Sequence, residues 1–151
     1  MTILRVLMLL ALIAWVGGII FFAFVLAPTV FRVLPVSSAG NVVSPSLTVL
    51  HWIGIIAAPV FLICSLIHNQ LKHARPKPFA AVHVLIALML AFTVISQFGI
   101  TPRMHALRPQ IESTPAARIQ FDHLHTWSTR SEGGVLFLGL AAVVLTARRF
   151  S

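Results

Sequence analysis

The chain has 151 residues, 58% hydrophobic and 9% charged, with 11 Lys and Arg against three acids. A soluble domain carries about a quarter charged residues, so this composition excludes one and describes a single small membrane domain. The net charge of +8 then points to anionic lipid headgroups as partner and not to nucleic acid.

Stretches free of Asp, Glu, Lys and Arg run over 6–31, 33–71, 78–102 and 133–147. The first three exceed the roughly 20 residues needed to cross a hydrocarbon core of about 30 Å. Long uniform apolar runs lack the alternation of barrel strands, and in lipid only helices or closed barrels satisfy every backbone group. The expected fold is an all-α integral membrane four-helix bundle, with helices at about 4–30, 47–70, 79–100 and 127–148 and a polar outer loop over 101–126.

The first run follows Arg5 as a secretion signal would, but it is longer than a signal's apolar region of about 7–15 residues and ends in no A-x-A site, so it is read as a span. Within it Ala11, Ala14, Gly17 and Gly18 are small, and Ala14 and Gly18, four apart, share a helix face that lets a neighbour approach closely. Pro28 near its end and Pro59 in the second run each remove a backbone donor, which predicts a kink or a stop. LPVSSAGNVVSPS, from Leu34, reads as a loop, and HARPKP, from His73, as a short hairpin connection. The lone Cys64 reads as a small apolar filler inside the second span.

One side of the membrane receives Arg5, Lys72, Arg75, Lys77, Arg148 and Arg149, the other Arg32, Arg103, Arg108, Arg118 and Arg130 in longer loops. Dense positive charge in short loops stays inside, which predicts cytoplasmic termini in a prokaryotic inner membrane.

The acids are confined to Glu112, Asp122 and Glu132, before or at the edge of the last apolar run. That run reaches only about 22 Å at about 1.5 Å per residue, so the fourth helix has to begin near Ser128 and draws Glu132 toward the membrane. There a carboxylate needs a partner, water or a proton. His125, Ser128 and Glu132, at i, i+3 and i+7, fall on one helix face. His51 and Trp52 open the second helix at the same level, with Gln97 near the outer end of the third and Arg108 beyond it. Trp52 and Trp127 fit an aromatic belt. This polar cluster reads either as a clamp between helices or as a site for a small polar or cationic species.

His105, Asp122, His123 and His125 supply imidazole and carboxylate groups of the kind that ligate zinc, copper or iron, although D-H-x-H is no closed metal motif. His68 and His83 match in depth across the second hairpin, as axial ligands of a noncovalent haem would. No phosphate loop, nucleotide fingerprint or C-x-x-C-H occurs, so an enzyme is disfavoured and no cofactor is the simplest expectation.

Trp15-Val16-Gly17-Gly18 followed by FFAFVLAPTVF resembles the first helix of the transmembrane-protein-205-like domain family. Thr101-Pro102-Arg103-Met104 with Leu107-Arg108, then Phe121, Leu124-His125 and Ser128, is similar to that family's second signature. The resemblance implies a four-helix membrane protein without an established general activity. It marks Trp15, Gly17, Phe22, Pro28, Phe31, Pro102, Arg108, Phe121, His125 and Ser128. Where that family commonly has Asn, seven residues after the His, this chain has Glu132. A fainter similarity, W-x-G-G on the first helix, links the chain to copper-resistance D-type membrane proteins and to the small haem-associated protoporphyrinogen oxidases, but no histidine stands on that helix.

The main expectation is a non-enzymatic membrane protein that binds or passes a small polar or cationic species at its outer end. The alternatives are a haem- or metal-binding redox or metal-handling subunit, and an accessory subunit of a larger membrane complex or homo-oligomer.

Overall fold

The computed structural model describes residues 2–73 and 81–150. The predicted connection at 74–78, with Arg75 and Lys77, lies outside them. Among the described residues the chain forms four long helices: α1, Thr2–Val33; α2, Val36–His73; α3, Ala81–Gln110, whose last turn is 3-10; and α4, Pro115–Phe150. Each is long and apolar enough to cross a membrane. They run up, down, up and down, as three pairings show: Gly18 meets Leu50, Ser65 bonds His83, and Ser131 reaches the Phe92 carbonyl. The chain ends of α1 and α4 therefore share one end of the bundle, here the terminal end. The α1–α2 and α3–α4 connections form the opposite, loop end.

Apolar side chains cover the outside, with Ile13, Phe24, Ile56, Ile63 and Phe137 all exposed. In water such a surface would drive aggregation, whereas lipid solvates it. The core is Met8, Trp15, Phe61, Ile86, Met89, Val135 and Ala142. α2 is the most buried helix: 44% of its most apolar window is buried, against 22% for each other helix.

Two predicted boundaries and one predicted helix face are corrected. The loop expected at 34–46 is helical from Val36, and Pro45 is carried inside α2. Ser46 Oγ and Thr48 Oγ1 donate to the carbonyls of Val42 and Ser44, so side chains help tie the ladder on either side of the proline. The polar loop expected over 101–126 contains only a short turn, because α3 continues through Gln110 and α4 starts at Pro115. Proline is tolerated in a first helical turn, and PAARIQ supplies good helix formers behind it. The polar parts of α2, α3 and α4 thus form a helical crown above the apolar bundle.

The third correction concerns the face of α1. Ala14 is exposed while Gly18 is half-buried against Leu50, so the two do not share an interface. Ile13–Gly17 is a π-helical turn, and its extra residue rotates everything before it relative to everything after. Two further π turns, Phe22–Leu26 and Ser96–Ile100, are centred four residues before Pro28 and Pro102. A proline ring collides with the carbonyl four residues back, and a widened turn relieves the collision without breaking the helix.

The π turn at Ile13–Gly17 also carries Trp15, whose indole packs closely against Gly54 of α2. A Cβ at Gly54 would run into the indole, whereas one at Gly17 meets nothing within 4 Å. Gly54→Ala is therefore expected to destabilise the bundle by about 1–3 kcal/mol through overpacking. Gly17→Ala should be neutral or slightly stabilising, by up to about 1 kcal/mol of helix propensity. Reversible unfolding of both variants in mixed detergent measures the difference.

Candidate functional site

The loop end has two polar layers. The upper one is the crown, where exposed or half-buried side chains stitch α3 to α2. Arg108 donates from Nη2 to the Gly40 carbonyl at 3.2 Å and from Nη1 to Asn41 Oδ1 at 3.4 Å. His105 Nε2 lies 2.9 Å from Ser44 Oγ. These contacts face water, which limits each to a fraction of a kcal/mol or about 1 kcal/mol.

The second layer lies about 10 Å deeper, one or two turns into the apolar part of each helix. His51, 1% exposed, projects from α2 between α3 and α4. Its Nδ1 donates to Gln97 Oε1 at 2.8 Å, and its Nε2 stands 2.7 Å from Glu132 Oε1. The Glu132 side chain keeps 15% of its surface exposed. The three groups are brought together by local features. The π turn at Ser96–Ile100 sets Gln97 beside α2, whose main neighbours are α1 and α3, and the Glu132 side chain reaches His51 from α4. Outside the bundle at this level, Trp52 stacks edge-on against Phe98 with ring centroids 6.1 Å apart. Such a pair is of the kind enriched at membrane–water boundaries.

The chemistry follows from the acceptor on Nδ1. Because the Gln97 oxygen can only accept, Nδ1 keeps its hydrogen and Nε2 is the nitrogen that faces Glu132. Two lone-pair-bearing atoms 2.7 Å apart need a proton between them. It can rest on the imidazole, giving an ion pair, or on the carboxyl, giving two neutral groups, and both arrangements carry the same net charge. Ser128, one turn before Glu132, is buried beside this layer, and Ser96 Oγ is buried without a hydrogen-bond partner next to Gln97.

Several residues proposed from sequence stand elsewhere. His125 is exposed and stacks on Phe121 at 6.4 Å, with ring planes 4° apart, so of the predicted stripe only Ser128 and Glu132 turn inward. Arg108 belongs to the crown. The candidate metal set disperses, because His105 bonds Ser44 and His125 packs on Phe121. His123 lines an open groove of about 580 Å³ with Arg103 and Gln120, and Asp122 is exposed. Among the described residues no three His, Cys, Asp or Glu side chains come close enough to hold a metal ion. His68 and His83 are both buried at the terminal end, but the His83 Nε2 that would face a haem iron lies 2.8 Å from Ser65 Oγ.

The family model described as Domain of unknown function (DUF4149) matches residues 10–113. The chain belongs to that family. The DUF4149 match includes His51 and Gln97 and ends before α4, which brings Glu132. No curated protein and no solved structure matches the chain.

Removing one member of the His51 layer strands the others. His51→Leu leaves both Glu132 and Gln97 without their partner in an apolar setting, and a loss of about 3–5 kcal/mol is expected. Glu132→Gln keeps a side chain that can donate to Nε2, and should cost about 1 kcal/mol or less. The unfolding midpoint of each variant in one detergent system ranks them.

Proposed function

We propose that this chain is an integral membrane protein that binds one proton, or a small cation in its place, between His51 and Glu132, with the loop end facing outward and both termini cytoplasmic. The observation that carries the reading is the 2.7 Å separation of Nε2 and Oε1 around a histidine that is 1% exposed. With the bridging proton present the pair is neutral overall. Without it, a net negative charge remains, with two lone pairs facing each other in a poorly solvated layer, an arrangement that only a cation relieves. The 15% of the Glu132 side chain that stays exposed is the route by which this reading has the pair exchange its proton.

The departure at Glu132 supports the same reading. In the transmembrane-protein-205-like family that the chain resembles, the position is commonly Asn, which would make a fixed hydrogen bond, whereas a carboxyl can hold either a proton or a charge at the contact. Binding is favoured over passage by the core below. From His51 to Ser65 α2 climbs about 21 Å, and its buried residues over that rise are Gly54, Ala57, Ala58, Phe61 and Cys64. No acid or imidazole lies among them to relay a proton.

The test is infrared difference spectroscopy of the protein in lipid nanodiscs during a pH titration. Wild type should show a carboxyl C=O stretch that is absent in Glu132→Gln and shifted in His51→Gln. A wild-type spectrum unchanged by Glu132→Gln would sink the proposal, since the titrating carboxyls would then be Glu112 and Asp122 in the crown.

A further inference from the structure

The terminal end holds a second polar cluster that the loop-end site does not use. Ser65 and Asn69 lie one turn apart on α2, both at least 95% buried, with buried His68 between them. Buried His83 reaches across from α3 to Ser65, and half-buried Arg149 comes from α4. Arg149 donates from Nη2 to Asn69 Oδ1 at 2.9 Å and from Nη1 to Ser65 Oγ at 3.4 Å. Both partners are neutral.

No side-chain carboxylate can neutralise this guanidinium, because the chain's only acids are Glu112, Asp122 and Glu132, all at the opposite end. Two donors beside it are also unused. Among the described residues, Asn69 Nδ2, on the amide that holds Arg149, is buried with no hydrogen-bond partner, and so is Thr146 Oγ1, one turn before Arg149 on the same face of α4. Arg5 and Arg148 add positive charge at the same end of the bundle. A planar guanidinium fixed by neutral groups, with an idle amide N–H and an idle hydroxyl nearby, is an acceptor-seeking arrangement. The ligand that fits is a phosphate-type oxyanion, whose several oxygens can take the guanidinium fork and the neutral donors together.

We propose that the terminal end of the bundle binds a phosphate group where α2 and α4 meet, held by Arg149 and Asn69. At a membrane boundary the phosphate can be a lipid headgroup or free inorganic phosphate, and the site chemistry is the same for both.

The experiment titrates purified protein with phosphatidylglycerol, phosphatidylcholine or inorganic phosphate and follows thermal unfolding by tryptophan fluorescence, with native mass spectrometry counting retained lipid. A ligand that binds only the folded state raises the midpoint with concentration. Wild type should be stabilised by phosphatidylglycerol beyond phosphatidylcholine if the source is lipid, or by inorganic phosphate alone if it is the free anion. Arg149→Gln should weaken apparent binding at least tenfold, and Asn69→Ala several-fold. Should Arg149→Gln fail to fold, Arg149→Lys keeps the charge, loses the fork, and should still weaken binding several-fold. Arg148→Gln, which removes the same charge from the exposed neighbour, should stay within about twofold of wild type. Equal losses in Arg148→Gln and Arg149→Gln would reduce the effect to net charge and overturn the site. So would the absence of any midpoint shift or retained lipid in wild type.

Discussion

A carboxylate in the apolar part of a membrane bundle costs at least about 2.5 kcal/mol on insertion scales unless it is given a partner. The arrangement of the loop end follows from Glu132 having one. His51 supplies it from α2, and Gln97 holds the far side of the same imidazole from α3. One ring thereby joins three helices, which fixes their relative height and rotation where the polar crown meets the apolar core. Apolar packing alone is permissive about such registry, because lipid tails solvate leucine and valine about as well as another helix does.

The helices reach this registry through irregular turns. Straight α-helices with Pro28 and Pro102 in place would collide with their own carbonyls at Phe24 and Phe98. The π turns remove the collisions and add a residue to each helix. In α3 that extra residue lies in the turn that carries Gln97. In α1 a π turn without a proline carries Trp15 onto Gly54, one turn below His51. The indole closes the layer from beneath and is itself 1% exposed.

Fold class and helix number were legible because uninterrupted apolar runs admit few alternatives in lipid. Helix ends were not, since 34–46 and 101–126 hold the Pro, Gly, Ser and His residues that usually mark loops in water. Here they extend helices that are already nucleated and packed below. Helix-length arithmetic isolated Glu132 correctly as a residue in need of a partner and put His51 and Gln97 at its level. It did not find which imidazole pairs with it. His125 shares an ideal helical stripe with Glu132, but the pairing depended on how α2 and α4 face each other, and 3.6-residue periodicity within one helix carries no information about that. The readable signal was the apolar run from Trp52 to Cys64 that follows His51 in α2. Ala14 and Gly18 failed for a related reason, because a π turn is invisible to spacing rules that assume a uniform helix.

Charge is divided along the molecule as sharply as polarity. All three acids stand at the loop end, where each can meet water or an imidazole, while Arg5, Arg148 and Arg149 stand at the terminal end with no side-chain acid in reach. Between these poles lie Phe61, Ile86, Met89 and Ala142, all under 2% exposed. Moving a charge through that stretch would expose it to an apolar medium over most of a bilayer's thickness, at a cost that the two polar layers cannot share because they do not touch. A bundle built this way keeps its two polar layers apart. α2 carries His51 and the Ser65–Asn69 pair, α3 carries Gln97 and His83, and α4 carries Glu132 and Arg149, so any coupling between the layers has to run through movement of these shared helices.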